Sequence, residues 1–346
     1  LDRPQPTFGT MILEVAARAP IALLPVAAFL AALVYFDSYK LVSLRAVVAT
    51  IFVGAAAAGL CYVVNDFAID RLALDFVPYS RYVSPLIEES IKALILVYLV
   101  RAQRIAFLVD AAIYGFAVGT GFAVVENLYF LSMRSDSHIA VWIVRGFGTA
   151  IMHGGAAAIF AIISVTLTEK KPGSIVAFLP GLAAAAVLHS AFNHFLFKPV
   201  LATVGILIVL PPLIYFVFQR SERSLGDWLG ADFDADATLL ALIDSDNFGT
   251  SNLGTYLQSL RKHFRGEIVA DLLCYLRLHL ELEMLAKGML LMREQGMSPE
   301  LDTEARAKFD ELRYLERSIG RTGRRALQPF LHLNARDLWQ IHMLGR

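Results

Sequence analysis

The chain has 346 residues, 57% of them hydrophobic and 18% charged. With a mean hydropathy of +0.57, this composition excludes an ordinary water-soluble globular protein. Basic and acidic residues number 31 each, and that zero balance argues against nucleic acid as a partner. Cys61 and Cys274 are the only two cysteines. One lies in an apolar stretch and the other in a charged one, so neither a disulfide nor a cysteine-held metal is expected.

Residues 1–19 carry no clear signal peptide, start on leucine rather than methionine, and read at most as a short interfacial helix. Seven apolar runs follow, near 20–36, 42–65, 83–100, 105–132, 142–167, 174–197 and 199–218. About 17–25 such residues cross a bilayer as a helix. The expected fold is therefore all-α, a polytopic membrane bundle over residues 20–220. Pro20, Pro25, Pro211 and Pro212 are tolerable in membrane helices. Lys40, Arg45, Arg101, Arg104, Lys170, Lys171, Arg220 and Arg223 flank one set of span ends. Arg71, Arg81, Arg134 and Lys198 flank the other. The bias predicts a cell-membrane protein with its N-terminus outside and its C-terminal region in the cytoplasm.

Residues 221–346 form a separate helical domain in this reading. Residues 267–294 make one long amphipathic helix, with further helices near 302–319 and 325–342 and a break at Gly296, Ser298 and Pro299. The acidic stretch 227–246 reads as a linker with a short helix. His263, His279, His332 and His342 are scattered here without a catalytic pattern. The domain has the character of a docking, sensing or self-associating unit, and a homo-oligomer through it is one expectation.

The apolar third run contains Ser84, Pro85, Glu88, Glu89 and Lys92. A charge at the bilayer centre costs about 3 kcal/mol on insertion scales, so two adjacent carboxylates need a local reason. Ser84 can cap a helix with Pro85 in its first turn, and Lys92 falls on the same side as both acids. The fourth run places Gly115, Gly119, Ala123 and Glu126 near one face, with Asn127 next to the acid. A small-residue face meets another helix rather than lipid, so Glu126 points into the bundle. His153 in the fifth run and His189 in the sixth are likewise set among alanines and glycines, and Asn193 lies one turn after His189. At ~1.5 Å per residue these groups share a depth of about 10 Å below the outer face.

Two histidines and one glutamate are a ligand set for catalytic zinc with a place left for water. His153, His189 and Glu126 are the candidate ligands, and Glu88 or Glu89 the candidate base. Neighbours on a helix diverge by ~100°, so only one of the two faces the water; the other holds a ligand or Lys92. Asn127 or Asn193 is the candidate donor to a developing oxyanion. Carboxylates and histidines inside a membrane also build cation or proton pathways. A transporter or channel, with Asp110 as the main inner-half acid, is thus one alternative, and a non-catalytic scaffold another.

The run Glu88-Glu89-x-x-Lys92, then Gly115-x-x-x-Gly119-x-Gly121-Phe122-Ala123-x-x-Glu126-Asn127, then His153, then His189-x-x-x-Asn193 resembles the PrsW family of intramembrane proteases. That family is similar in layout to the type II CAAX prenyl endopeptidases. The resemblance covers about residues 75–200. It implies a membrane peptidase in which the paired glutamates and His153 are essential. It also implies a membrane-anchored protein substrate, such as an anti-sigma factor. A metal-free glutamate mechanism fits the same residues, and Asn193 stands where a family member can carry aspartate.

Overall fold

The structure, a computed structural model, describes residues 8–133, 138–171, 173–194, 198–297, 299 and 303–331. Among these residues every regular element is a helix. The elements are α1 (Phe8–Phe36), α2 (Leu44–Leu72), α3 (Ser84–Arg101), α4 (Leu108–Met133), α5 (Ile139–Lys170), α6 (Leu179–Asn193), α7 (Pro199–Ile243), α8 (Asn252–Leu260), α9 (Gly266–Glu294) and α10 (Thr303–Leu327).

Six of them, α1, α2, α4, α5, α6 and α7, are long and apolar enough to cross a membrane. The seventh expected span is α3, of 18 residues. Glu88, Glu89, Lys92 and Arg101 set it apart from the other six. The fold is a membrane helix bundle, and its surface chemistry fits lipid. On α2 the buried residues are small, Gly54, Ala57, Ala58 and Cys61. Phe52, Leu60, Tyr62, Val63 and Phe67 face outward, the reverse of a soluble helix.

α4 is the centre of the bundle, packed against α1, α2, α3 and α5. Its glycines explain how closely. A Cβ at Gly119 would lie 2.3 Å from the His153 backbone oxygen, and one at Gly121 would lie 1.9 Å from that of Ile51. No side chain fits at either place, so glycine sets the separation of α4 from α5 on one face and from α2 on the other.

Two turns of π-helix interrupt the regular winding, Tyr79–Val83 before α3 and Val144–Thr149 within α5. The first changes the expected role of Ser84. The chain runs helically from Phe76 into α3, and Ser84 makes no cap. Pro85 has no N–H, so the carbonyls of Ser80 and Arg81 lose their intrahelical donors. Asn193 Nδ2 donates to Ser80 O at 3.0 Å and Ser190 Oγ to Arg81 O at 2.6 Å. α6 thus satisfies the backbone that Pro85 leaves open.

The chain divides into two compact units, with the change at Ser221 and with Ser38–Lys40 grouped in the second. The residues after Asp227 differ from the expected linker, because α7 stays helical to Ile243. Leu225, Leu229 and Asp236 lie on one buried stripe, and that periodicity outweighs the weak helix preference of aspartate. The second unit has its own core, including Leu253, Leu272, Leu276, Phe309 and Leu315. Gly296, at φ 76°, follows α9, and Gly320, at φ 62°, kinks α10. Residues 1–7 of the N-terminal segment, Ser298, and the expected helix 325–342 beyond Leu331, with His332 and His342, lie outside the described residues.

Candidate active site

Four helices deliver the ionisable groups to one place. α3 carries Glu88, Glu89 and Lys92, α4 carries Glu126, α5 carries His153 and α6 carries His189. The rings of His153 and His189 meet edge to face, with centroids 4.7 Å apart.

The paired glutamates point different ways, as the ~100° step between neighbours requires. Glu89 turns inward. Its Oε1 accepts from Lys92 Nζ at 2.6 Å and from His189 Nδ1 at 2.8 Å. Glu88 turns to the other side. Its Oε1 accepts from Ser84 Oγ at 2.6 Å and from Asn65 Nδ2 at 3.3 Å. Its Oε2 lies 3.9 Å from His189 Nε2.

The hydrogen bonds fix the histidine protons by chemistry alone. Lysine can only donate, so His153 Nδ1 accepts from Lys92 Nζ at 3.1 Å, and Nε2 carries the proton toward Glu126 Oε2 at 3.0 Å. His189 gives its Nδ1 proton to Glu89, and its Nε2 faces the Glu88 carboxylate at 3.9 Å. In a neutral ring that nitrogen carries a lone pair, and a cation between the two atoms would then meet a donor on each side. Lys92 Nζ also lies 4.6 Å above the Phe122 ring, which further limits its movement.

Glu88, His153 and His189 each offer one ligand atom, and these atoms lie within 4.8 Å of one another. Bonds of 2.0–2.2 Å place two zinc ligands at most about 4.4 Å apart. A small inward movement closes the set, and its chemistry, two imidazoles and a carboxylate, fits a metal. Glu89 on His189 Nδ1 is the outer carboxylate that such a ligand needs for orientation. The group differs from the expected set, with Glu88 in the place of Glu126. A metal at His153 also replaces one of that ring's two contacts, an exchange His189 does not require.

Glu126 is the most open of the three acids, its side chain 29% exposed against 14% for Glu88 and 1% for Glu89. Arg145 Nη2 holds its other oxygen at 3.3 Å. The same guanidinium donates from Nε to Asn127 Oδ1 at 2.9 Å and lies 3.6 Å from the Phe130 ring centroid. Arg145 is more than the interfacial marker its position suggests, because the π-turn re-aims it toward α4.

The two asparagines expected to donate to an oxyanion are engaged elsewhere. Asn127 Nδ2 donates to Ala22 O at 2.8 Å, tying α4 to α1, and Asn193 Nδ2 serves the Pro85 turn. Both amides compensate backbone or side-chain groups. Asp110, the acid on which a transport path depends, receives the backbone N–H groups of Ala106 and Phe107 at 2.9 and 2.7 Å. It closes the entry to α4. Asn65, Tyr79 and Ser190 carry no sequence signal, since each acts through contacts between segments that no spacing along the chain announces.

The fold and this cluster agree with the comparison of the chain against known families. No curated protein and no solved structure matches it. The model of the PrsW family intramembrane metalloproteases matches residues 42–218, more than half of the chain. That span contains α2 through the membrane part of α7 and every residue of the cluster. Such an enzyme is a hydrolase of the bilayer, uses a metal, and acts on a membrane-embedded protein. By this match the chain belongs to the PrsW family of intramembrane metalloproteases.

Proposed function

We propose that the chain hydrolyses a peptide bond of a single-span or membrane-anchored protein, with zinc held by Glu88, His153 and His189. The observation carrying this reading is the convergence of those three ligand atoms within 4.8 Å from three different helices. When bound, the metal supplies a Lewis acid that polarises the scissile carbonyl and acidifies a water. Glu126, open and adjacent to His153, takes the water's proton and returns it to the departing amine nitrogen. This reverses the roles expected for Glu88 and Glu126. Glu89 holds the His189 ring in one tautomer, Lys92 does the same for His153, and Arg145 anchors Glu126. Burial of Lys92, His153 and His189 keeps bulk water from the inner side of the site.

By resemblance, an anti-sigma-factor-like protein is the proposed substrate. The charge bias supports an outer N-terminus and a cytoplasmic C-terminal region. In that orientation the site lies near the outer face, and residues 20–220 form the protease domain. The remaining 221–346 form the cytoplasmic domain, a candidate surface for self-association.

The test is elemental analysis of purified protein beside a cleavage assay on a membrane-anchored substrate. One zinc per chain is expected in wild type. His189→Ala and Glu88→Gln should lose the metal and the activity together, with helicity and melting retained. Cleavage at the wild-type rate by either variant removes the mechanism.

A further inference from the structure

Asn65 stands outside every motif that carries the family resemblance, on α2, 23 residues before Glu88. An amide inside a spanning helix is costly unless partnered, and its partners are specific. Tyr79, 3% exposed, donates from its hydroxyl to Asn65 Oδ1 at 2.8 Å and to Asn65 O at 3.0 Å. The Glu88 carboxylate only accepts, so Nδ2 is the atom turned toward it and Oδ1 the atom facing the tyrosine, whose one proton is shared between Oδ1 and the Asn65 carbonyl. Ser84 Oγ reaches the same Glu88 oxygen from one turn away on the same helix.

Both donors therefore fall on Oε1, and the Oε2 atom is the one left facing His189 Nε2. A carboxylate with three rotatable bonds before it has several ways to point. Two donors from different helices on one oxygen select a single way. We propose that Asn65, itself oriented by Tyr79, is a positioning residue that acts with Ser84 to aim Glu88 Oε2 at the histidine pair. It touches neither substrate nor metal. A packing role alone would require only the volume of the side chain. The ordered string from Tyr79 through Asn65 to Glu88 uses both ends of the amide.

The proposal rests on Glu88 as a metal ligand, and the experiment separates the two. Zinc affinity is measured by chelator competition on the full chain in nanodiscs, for wild type, Asn65→Ala, Asn65→Asp, Ser84→Ala and Tyr79→Phe. Loss of a group that orients a ligand lowers metal affinity about 10–100-fold. That loss is expected for Asn65→Ala and for Asn65→Asp, which keeps the shape and removes the donor. Tyr79→Phe should give a smaller loss, since the amide stays in place but is free to turn. In a Glu88→Ala background, Asn65→Ala should change the residual affinity by less than about twofold, because its effect passes through Glu88. An equal loss in both backgrounds, or wild-type affinity in Asn65→Asp, overturns the assignment. Should wild type bind no zinc, the metal reading falls, and an experimental structure of Asn65→Asp decides this one. Glu88 Oε2 turned away from His189 supports the proposal; Glu88 unmoved ends it.

Discussion

Two of the regions in which the molecule buries ionisable side chains are built to opposite ends. In the second unit, Lys287 Nζ meets Asp236 Oδ2 at 2.6 Å, and His279 Nδ1 lies 3.8 Å from Glu283 Oε1. Lys287 and Asp236 match a cation with an acid, and the groups are closed in by the leucine core of α9 and α10. Around His153 and His189 the ratio is different. Three carboxylates converge on two fixed cations and two histidine rings, and an imidazole nitrogen faces a carboxylate oxygen across 3.9 Å. Matched charges specify packing. An acid in excess of the fixed cations, beside two imidazoles, leaves a place that a metal and a polar substrate can fill.

The largest effect should come from the reactive side of this contrast. Glu126→Gln removes the proposed proton acceptor while keeping its shape, and cleavage should fall about 10²–10⁴-fold. Because Glu126 is not among the three grouped ligands, zinc content should stay at the wild-type value. Loss of zinc in Glu126→Gln would instead return Glu126 to the ligand set and Glu88 to the role of base.

The saturated region should answer in stability. Lys287→Met leaves Asp236 without its 2.6 Å partner, and a charge stranded in a core costs about 3–5 kcal/mol. Chemical denaturation followed by hydrogen exchange in α9 measures it, with the zinc stoichiometry unchanged. A loss below about 1 kcal/mol would mean that Asp236 finds another partner and that the pair is not closed.

A pH titration probes the same core without mutation. Burial drives the His279 pKa down to about 4, helped by the charges of Lys287 and Arg324. Glu283 and the Tyr275 ring also face it. The folded state therefore binds its proton less readily than the unfolded chain, where the value is near 6.5. The contribution is fully present above about pH 6.5 and is lost as the pH falls toward 4, a change of about 3 kcal/mol. Exchange protection of α9 measured between pH 7 and pH 4 should fall in that window. His279→Gln should flatten the profile.

These contrasts also mark how far the sequence could be read. The convergence of acids and histidines was legible because a bilayer penalises each one, so their common depth needed a reason. The division of labour within Glu88-Glu89 followed from helical rotation. Which glutamate completes the ligand group did not, since Glu88 and Glu126 lie at similar depth and only side-chain geometry separates them. Asn127 and Asn193 looked like chemistry because asparagine is rare in such helices. Their amides answer backbone needs at Ala22 and at the Pro85 turn, and a π-turn has no residue pattern to announce it. The acids after Asp227 suggested a linker, yet the buried stripe of Leu225, Leu229 and Asp236 continues α7.

The smallest predicted effects separate two helical glycines that look alike in sequence. A methyl at Gly119 meets the His153 carbonyl at 2.3 Å, whereas nothing lies within 4 Å of the place a methyl would take at Gly288. Gly119→Ala has to push α5 outward, at a cost of about 1–3 kcal/mol for overpacking. Because His153 rides on the displaced backbone, cleavage should suffer more than melting does. Gly288→Ala only removes backbone freedom from the unfolded chain and should stabilise α9 by about 0.5–1 kcal/mol. Paired melting and cleavage measurements on the two variants test this directly. A Gly119→Ala protein with native activity would mean that α4 and α5 can part without moving His153. The separation that glycine sets would then bear on packing alone, and the site would owe its geometry to its own hydrogen bonds.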